Sequence, residues 1–495
     1  MLAQTIPAIA AQAASRFGTA PAVVQDGQAI SFARLHALIE QTAGAFAAAG
    51  LAQGDRVALW APNSLEWILA CAGAQRAGGV VVPLNTRLKG AEAAFILNRT
   101  RARFLLLQDG FLGTDYRGLL AGQALPHLDR VISLGSDFAA FRAGPAAALP
   151  PPPSADDPCD ILFTSGTTGE PKGVVATHGQ TCRTFAAWVD ATGLRAGDRY
   201  LIVNPFFHTF GYKAGWLACL MAGATSYPMP TLDMQRLTEL VRTERITVLP
   251  GPPAIFQTML ANGVTASDIG SLRLAVTGAA NVPPALVQAM RQVLGINTVL
   301  TGYGLTESCG VVTMTQADDP PEAVTTTSGR PIPGVEVRID DSGEILVRGY
   351  NVTPGYFEDP EATAEAIDAD GWLHTGDIGR FDAAGRLMIT DRLKDMYISG
   401  GFNCYPAEIE RILQRHPDVA QAAVIGVPDL RMGEIGHAFV VPVAGAALDA
   451  QALLAWAREN MANYKAPRCI EIVASLPLNA AGKVQKFALR PAVTV

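Results

Sequence analysis

The sequence has few charged residues and no long run of apolar ones. Only 17% of its 495 residues are charged, 49% are apolar, and the formal net charge is −7. The negative balance gives no general attraction to nucleic acids or acidic membranes. A stretch of about 18–20 consecutive apolar residues, which a membrane-spanning helix needs, is missing. The composition therefore predicts a soluble protein with a large buried core and excludes a disordered chain.

Cysteine is also scarce, and its spacing shows no pairing pattern. The seven cysteines are scattered, and no C-x-x-C pair occurs. This favours the reduced thiols of a cytoplasmic protein over disulfides or a zinc site. The first residues lack the basic segment of a signal peptide, so we expect a cytoplasmic location.

The hydrophobic pattern predicts an α/β protein with more than one domain. A chain of 495 residues is too long for one ordinary domain. Helical and strand patterns alternate through residues 8–140 and 175–300, which predicts layered sheets with parallel strands; one predicted helix covers residues 31–48 with Ser31 as its N-cap. Short β segments beyond Gly334 predict a small β subdomain, and the residues after Lys394 predict a compact α+β tail.

One stretch, from Asp160 to Val174, has the residues of a phosphate-binding loop. An apolar segment predicts a buried strand, and a loop rich in hydroxyls and glycines follows it before Lys172. Glycines let backbone N–H groups approach an anion, hydroxyls add donors, and lysine adds a positive charge. The spacing is not that of a Walker A loop, so the stretch is either a different phosphate loop or a polar surface turn. The predicted loop residues are Thr164, Ser165, Gly166, Thr167, Thr168, Gly169 and Lys172.

The full string T-S-G-T-T-G-x-P-K-G resembles the adenylate-forming (AMP-binding) superfamily. That superfamily includes acyl-CoA synthetases, aryl-CoA ligases, peptide-synthetase adenylation domains and luciferases. Further motifs follow in the family's order, namely Tyr303 to Glu307 (Y-G-L-T-E), Thr375 to Asp377, Asp391 to Asp395, and Gly482-Lys483. The resemblance implies an N-terminal AMP- and acyl-binding domain over residues 1–393. It also implies a small mobile α+β C-terminal domain over residues 394–495.

The same resemblance implies an ATP site. Tyr303 would stack on adenine, Thr306 would meet the α-phosphate, and Asp377 with Arg392 would hold the ribose. Thr167 and Glu307 would hold Mg²⁺, which prefers carboxylate oxygens and substrate phosphates. Taken singly, each motif also fits an ordinary turn. Besides the phosphate loop, the implied ATP/AMP-binding residues are Gly278, Ala279, Ala280, Gly302, Tyr303, Gly304, Thr306, Asp377 and Arg392.

Two lysines of the C-terminal region carry the implied catalytic cycle. Lys483 would offset the repulsion between a carboxylate and a phosphate during adenylation, with Lys486 as the alternative. Because one face cannot present Lys483 and also admit a thiol, the region would rotate about Lys394 as a hinge. The implied CoA-binding residues are Gly400, Gly401, Lys465 and Arg468.

The acyl pocket is predicted around an aromatic segment, Phe206 to Tyr212. No acidic residue occurs between Pro205 and Gly215, so an amino-acid substrate with its ammonium group is disfavoured. His208 is a candidate catalytic residue near the reacting carboxylate, although a lone histidine among aromatics is more often a packed core residue. The predicted pocket residues are Phe207, His208, Tyr212, Cys309 and Gly310.

These inferences predict an ATP-dependent acid–CoA ligase that acts on a fatty, cyclic or aryl acid. The aromatic string resembles the branch that activates steroid-ring propanoates. The alternatives are an enzyme that loads a carrier-protein thiol, a luciferase-like oxidase, and an inactive binding module. The expected ligands are a carboxylic acid, ATP, Mg²⁺ and coenzyme A, with no nucleic acid and no integral membrane partner. A homodimer is left open.

Overall fold

The computed structural model describes residues 3–164, 171–278, 282–392, 395–399, 402–429, 432–461, 464–478 and 484–489. Two α/β layers form the larger, N-terminal part. The strands of these layers are β1 (Pro21–Gln25), β2 (Gln28–Ser31), β3 (Arg56–Trp60), β4 (Val80–Pro83), β5 (Phe104–Leu107), β6 (Arg130–Ser133), β7 (Pro158–Thr164), β8 (Lys172–Thr177), β9 (Arg199–Ile202), β10 (Thr225–Pro228), β11 (Val248–Pro250), β12 (Leu274–Val276) and β13 (Thr298–Leu300).

The remaining strands form smaller sheets. They are β14 (Gly302–Tyr303), β15 (Thr313–Met314), β16 (Arg330–Pro331), β17 (Val335–Ile339), β18 (Glu344–Gly349), β19 (Leu373–Phe381), β20 (Leu387–Arg392), β21 (Tyr397–Ser399), β22 (Phe402–Cys404), β23 (Val419–Asp429), β24 (Gly433–Pro442) and β25 (Cys469–Ile472).

The helices cover the sheets. They are α1 (Ile6–Phe17), α2 (Phe32–Ala48), α3 (Leu65–Arg76), α4 (Gly90–Arg99), α5 (Tyr116–Leu119), α6 (Phe138–Ala143), α7 (His178–Thr192), α8 (Thr209–Gly211), α9 (Ala218–Ala222), α10 (Met234–Thr243), α11 (Pro253–Ala261), α12 (Ala266–Ile269), α13 (Pro284–Gln292), α14 (Pro321–Thr326), α15 (Pro360–Ala366), α16 (Pro406–Leu413) and α17 (Ala450–Asn460). Short 3₁₀ turns cover Phe111–Gly113, Thr306–Ser308 and Lys486–Leu489, and Tyr212–Leu217 form a π-helical turn.

The two large sheets are mostly parallel, as the alternating pattern predicts. One has the order β6-β5-β3-β4-β7-β8, and only the β7–β8 pair at its edge is antiparallel. The other has the order β13-β12-β11-β9-β10-β1-β2, with β1 and β2 antiparallel. The carboxyl ends of parallel strands lie at one edge of a sheet, where ligands commonly bind. The α/β class and its layers are therefore confirmed.

Local sequence signals account for where the helices begin. The Ser31 hydroxyl accepts a hydrogen bond from the Arg34 amide at 3.2 Å, which confirms Ser31 as the N-cap of α2. At α7, Thr177 and Gln180 bond reciprocally to each other's backbone amides as a capping box. That box begins α7 directly after β8, the second strand of the phosphate-loop hairpin.

The C-terminal region has its own sheet and core. Strands β22-β21-β24-β23 are antiparallel neighbours, and β25 adds to β24 in parallel. Helices α16 and α17 pack on this sheet around buried Val424, Ala438 and Leu453. The predicted β subdomain is the antiparallel sheet β17–β20, which precedes this region in the chain. An N-terminal part with a small α+β region after it matches the predicted organisation.

A hydrogen bond to a side chain joins the β subdomain to the C-terminal region. The Asp391 carboxylate, on β20, accepts a hydrogen bond from the Ala407 amide at 3.0 Å, in the first turn of α16. A carboxylate is stabilised there because the first amides of a helix lack partners within the helix. Within the described stretches of the chain, the helices are too short or too polar to span a membrane.

Candidate active site

The predicted phosphate loop is flanked by a regular hairpin. Strands β7 and β8 pair from Pro158 and Thr177 up to Thr164 and Lys172, whose backbones lie opposite each other. The Lys172 ammonium lies 5.2 Å from the centre of the Tyr356 ring. This distance fits a cation–π contact that holds the lysine at the end of the hairpin. Residues 165–170, which include Ser165, Gly166, Thr167, Thr168 and Gly169, lie outside the described residues.

Glu307 is joined to this hairpin through residues that sequence reasoning missed. The Tyr356 hydroxyl donates a hydrogen bond to Glu307 Oε1 at 3.0 Å. The Thr353 amide donates to the Glu307 carbonyl at 2.7 Å, and the Thr353 hydroxyl donates to the Val175 carbonyl at 2.6 Å. Tyr356 therefore contacts both the predicted metal ligand and the predicted phosphate lysine. Its only sequence signal is its place after Gly355, which is too weak to indicate this role.

The surroundings of Glu307 fit a magnesium ion that is bound mainly by substrate. Among the described residues, no group of three or more His, Cys, Asp and Glu side chains is placed to hold a metal. Mg²⁺ is commonly bound through one or two carboxylates together with substrate phosphates. A single carboxylate oriented by Tyr356 and next to the phosphate hairpin satisfies that requirement.

The predicted adenine and ribose residues are in direct contact. The Tyr303 hydroxyl donates to the Asp377 carboxylate at 2.6 Å, across 74 residues of sequence. Asp377 is buried on β19, and its backbone lies opposite that of Arg392 on β20. The structure thus brings together Tyr303, Asp377 and the backbone of Arg392, three residues that the motifs place far apart in the chain.

Close backbone approach explains one of the predicted glycines. A Cβ on Gly304 would lie 2.3 Å from the Gly310 carbonyl oxygen, so only glycine fits at that point. A Cβ on Gly278 would lie 3.4 Å from the Gly302 carbonyl oxygen, which places the end of β12 beside β14. Thr306 lies in the 3₁₀ turn between Tyr303 and Gly310. Ala279 and Ala280 lie outside the described residues.

The aromatic segment places His208 beside the Gly310 turn. The His208 and Phe207 rings are 4.9 Å apart, and a Cβ on Gly310 would lie 2.9 Å from Thr209 Cβ. Burial lowers the pKa of His208 to about 4. The imidazole is therefore neutral near pH 7, which suits a group that positions a carboxylate by hydrogen bonding.

Tyr212 and Cys309, two of the predicted pocket residues, are buried. Tyr212 is fully buried, stacks on Trp216, and accepts a hydrogen bond from the Gln75 amide at 2.7 Å. Cys309 is 2% exposed and lies 3.7 Å from the Lys213 ammonium. Phe207, His208 and Gly310 are the predicted pocket residues that are less deeply buried.

A buried ion pair lies beneath these elements. The Lys213 ammonium is 3.0 Å from Asp160 and 3.2 Å from the Thr181 hydroxyl, and both charged side chains are fully buried. Burial lowers the pKa of Lys213, whereas the Asp160 carboxylate raises it. The net shift of the pKa is upward, so Lys213 stays charged. Asp160 is on β7, the strand that leads to Thr164. This pair joins the aromatic segment to the phosphate hairpin.

The predicted C-terminal site residues are only partly described. Lys465 forms an ion pair with Glu408 at 2.8 Å, and the Arg468 amide donates to the Gly436 carbonyl. Lys486 is paired with Glu410 at 2.9 Å. The other predicted residues of this region, Lys394, Gly400, Gly401 and Lys483, lie outside the described residues, as does the side chain of Arg392.

Comparison with known proteins gives matches over nearly the whole chain. The family profile described as "AMP-binding enzyme" matches residues 10–357, and "AMP-binding enzyme C-terminal domain" matches residues 408–483. The chain is 48% identical to "3-[(3aS,4S,7aS)-7a-methyl-1,5-dioxo-octahydro-1H-inden-4-yl]propanoyl:CoA ligase" of Rhodococcus jostii, over 98% of both chains. A ligase of the same name from Mycobacterium tuberculosis is also 48% identical, over 98% of both chains.

Solved structures with the same fold are similar over the same length. The crystal structure of ATP-bound MatB from Rhodopseudomonas palustris superposes with a TM-score of 0.90, at 30% identity and over 98% of each chain. The anthranilate CoA ligase AuaEII in complex with anthranoyl-AMP gives a TM-score of 0.89 at 28% identity, over 98% of this chain and 96% of the other.

Proposed function

The chain belongs to the AMP-binding enzyme family and is an ATP-dependent acid–CoA ligase, and we propose that its acid is a propanoate that carries a fused-ring diketone. In the family reaction, the carboxylate attacks the α-phosphate of ATP and releases pyrophosphate, which leaves an acyl-adenylate. The CoA thiol then displaces AMP and forms the thioester. Mg²⁺ would supply charge neutralisation at the ATP phosphates, and Glu307 would hold it.

The observation that carries the substrate proposal is similarity over the full length. Two ligases named for the methyl-dioxo-octahydroindenyl propanoate are 48% identical to this chain. A feruloyl-CoA synthase from Amycolatopsis is 37% identical over 95% of each chain. The matches to the two ligases cover 98% of this chain, a span that includes the aromatic segment and the turn after Glu307, where acid specificity would be determined.

The described part of the pocket is compatible with a ring-bearing acid. Phe210 packs edge-on against Trp188 with ring centres 5.9 Å apart, and Phe207 lies against His208. Aromatic walls offer apolar area to a cyclic acid. Gly310 adds no side chain at the point where the chain turns beside Thr209.

Steady-state kinetics with three acids would test this proposal. AMP release and CoA thioester formation would be measured with the fused-ring propanoate, with ferulate and with octanoate. We expect kcat/KM to be highest for the ring propanoate by at least tenfold, since shape-based discrimination is usually about 10–200-fold. A higher kcat/KM for ferulate or octanoate would contradict the substrate proposal while leaving the ligase activity intact.

We further propose that Lys483 is the lysine of adenylation. The alternative, Lys486, is already engaged: burial lowers its pKa, the Glu410 and Asp395 carboxylates raise it, and the net direction is upward. A lysine held by Glu410 is poorly placed to neutralise a substrate. Lys483→Ala should abolish adenylate formation and leave thioester formation from a supplied acyl-adenylate largely intact, and Lys486→Ala serves as the matched control. Equal loss of both half-reactions in Lys483→Ala would contradict this role.

The division into residues 1–393 and 394–495, with Lys394 as the hinge, is also a proposal. Separate hydrophobic cores on the two sides support it. Gly400, Gly401, Lys465 and Arg468 would then reach the CoA site after rotation. Lys394→Pro, which fixes φ, should preserve pyrophosphate exchange and block thioester formation. Near-normal rates for both steps would place the hinge elsewhere.

A cytoplasmic location is proposed because the seven cysteines, all of which are described residues, form no disulfide bonds. The homodimer stays a prediction, which light scattering of the purified protein would test.

A further inference from the structure

A cavity of about 300 Å³ lies where the β17–β20 sheet meets the C-terminal region. Strand β19 contributes Arg380 to its wall, and α16 contributes Arg411 from the opposite side. A water molecule takes about 30 Å³ in the liquid, so the cavity has room for a polyatomic ligand. Of the residues assigned above to ATP, metal, acid or CoA, only Lys465 lines it.

The charges around this cavity do not cancel. Glu408 is the acidic residue of the wall, and both of its oxygens are already bonded to Lys465, at 2.8 and 3.0 Å. In the described stretches of the chain, the guanidiniums of Arg380 and Arg411 form no hydrogen bond or ion pair of their own. The wall of the cavity therefore carries two more positive charges than negative ones.

Arg411 is partly buried and shares its acidic neighbour, Glu408, with Lys465. Burial lowers the pKa of Arg411, the Glu408 carboxylate opposes this, and the positive charges of Arg415 and Arg380 lower the pKa further, so the net direction is downward. Because burying a cation without a counter-charge is costly, the arrangement favours an anion between the two guanidiniums. A planar guanidinium matches the oxygens of a phosphate with two parallel hydrogen bonds.

We propose that this cavity binds a phosphate group through Arg380 and Arg411. The group belongs either to CoA or to free phosphate or pyrophosphate, and in its CoA form the proposal rests on the ligase activity described above. Arg380 is in the β subdomain and Arg411 in the C-terminal region, so a phosphate bound to both stabilises the arrangement of the two regions seen here.

Calorimetric titration of the full-length protein would test the site. Inorganic phosphate, pyrophosphate, CoA and dephospho-CoA, which lacks the 3′-phosphate, would each be titrated into wild type, Arg380→Gln and Arg411→Gln. Arg242→Gln, an exposed arginine near the end of α10, is the matched control. Arg380 is on an exposed strand position, so its variant tests the site even if Arg411→Gln fails to fold.

We expect at least one of these ligands to bind about tenfold or more weakly to both variants, since a hydrogen bond to a charged group contributes this much or more. Weaker binding of phosphate or pyrophosphate identifies the free anion as the ligand. Weaker binding of CoA without a change for dephospho-CoA identifies the 3′-phosphate, and an equal change for both identifies the diphosphate. Unchanged affinity for all four ligands, or an equal change in Arg242→Gln, would overturn the proposal. Pyrophosphate exchange that depends on the carboxylic acid substrate needs no CoA. Measuring this exchange therefore distinguishes the absence of the phosphate site from a failure of the proposed ligase function.

Discussion

The Tyr356 hydroxyl lies 3.0 Å from Glu307 Oε1, and the ring of the same tyrosine lies 5.2 Å from the Lys172 ammonium. One side chain thus orients both the carboxylate that would hold Mg²⁺ and the lysine that would meet the ATP phosphates. A residue that acts through others in this way is a positioning residue, and its loss should leave the fold intact while altering the metal requirement.

Tyr356→Phe should raise the Mg²⁺ concentration needed for half-maximal adenylation. The variant keeps the ring beside Lys172 and removes only the hydroxyl. A hydrogen bond to a charged group contributes about 1.5–3 kcal/mol, which corresponds to at least a tenfold effect. Pyrophosphate exchange as a function of Mg²⁺ would measure it, with Tyr350→Phe as the control, because the Tyr350 ring contacts Arg183 instead. A Mg²⁺ dependence like that of wild type would show that Glu307 does not depend on Tyr356.

Tyr303→Phe should weaken ATP binding and leave the chemical step nearly unchanged. Without its hydroxyl, the ring can still stack on adenine, but Asp377 loses the hydrogen bond at 2.6 Å that fixes it for the ribose. We expect KM for ATP to rise about tenfold, with kcat within about twofold of wild type. If Asp377→Asn and the double variant give additive losses in kcat/KM, the two residues act independently and the interpretation is wrong.

The sequence was sufficient for the features that depend on local patterns. The Ser31 cap, the parallel α/β layers and the buried strand before the phosphate loop follow from short-range spacing of apolar, polar and glycine residues. Tyr356 and Lys213 could not be predicted this way. Tyr356 meets Glu307 across 49 residues, and Lys213 meets Asp160 across 53, so only the folded chain brings these partners together.

The placement of Tyr212 also could not be predicted from the sequence. An aromatic segment after a strand suggests a ligand pocket, yet the chain enters a π-helical turn at Tyr212 and carries its ring into the core beside Trp216. Composition identifies the segment but not the direction of each side chain. Backbone geometry and packing against Trp67 and Gln75 determine that direction.

Removing only the Lys213 charge of the Lys213–Asp160 pair should destabilise the protein more than removing both charges. Lys213→Met leaves the Asp160 carboxylate buried without its counter-charge, which typically costs about 3–5 kcal/mol. Adding Asp160→Asn removes the stranded charge, so the double variant should be more stable than Lys213→Met alone. Chemical and thermal unfolding would measure both. Additive losses from the two single changes would mean that the charges are not coupled across the core.

His178 should make the protein lose stability as the pH falls below about 6.5. Its imidazole is buried at the start of α7, and Nδ1 accepts a hydrogen bond from the Ile6 amide at 3.3 Å. Burial lowers the pKa of His178 to about 4, an effect to which the positive charge of Lys213 adds and which the Asp157 carboxylate opposes. The neutral form is therefore the one that the fold accommodates.

The sign of this effect follows from which state binds the proton. In the unfolded chain His178 titrates near its ordinary pKa of 6.5, whereas in the folded chain it stays neutral down to about pH 4. Between these two pH values the unfolded state binds more protons than the folded state. The contribution of His178 to stability is therefore complete above about pH 6.5 and is lost as the pH falls towards 4. A difference of about 2.5 pKa units corresponds to roughly 3 kcal/mol.

His178→Asn removes the titrating group and keeps an oxygen that can accept the hydrogen bond from Ile6. The free energy of unfolding would be measured from pH 7.5 to pH 4 for wild type, for His178→Asn, and for His127→Asn, which replaces an exposed histidine. The acidic residues are the same in all three proteins, so most of their contribution to the pH dependence cancels in the differences. We expect wild type and His127→Asn to lose roughly 3 kcal/mol more than His178→Asn over this range. Parallel curves for all three would show that His178 is not held neutral in the folded protein, and the acid sensitivity would then have to come from the paired carboxylates.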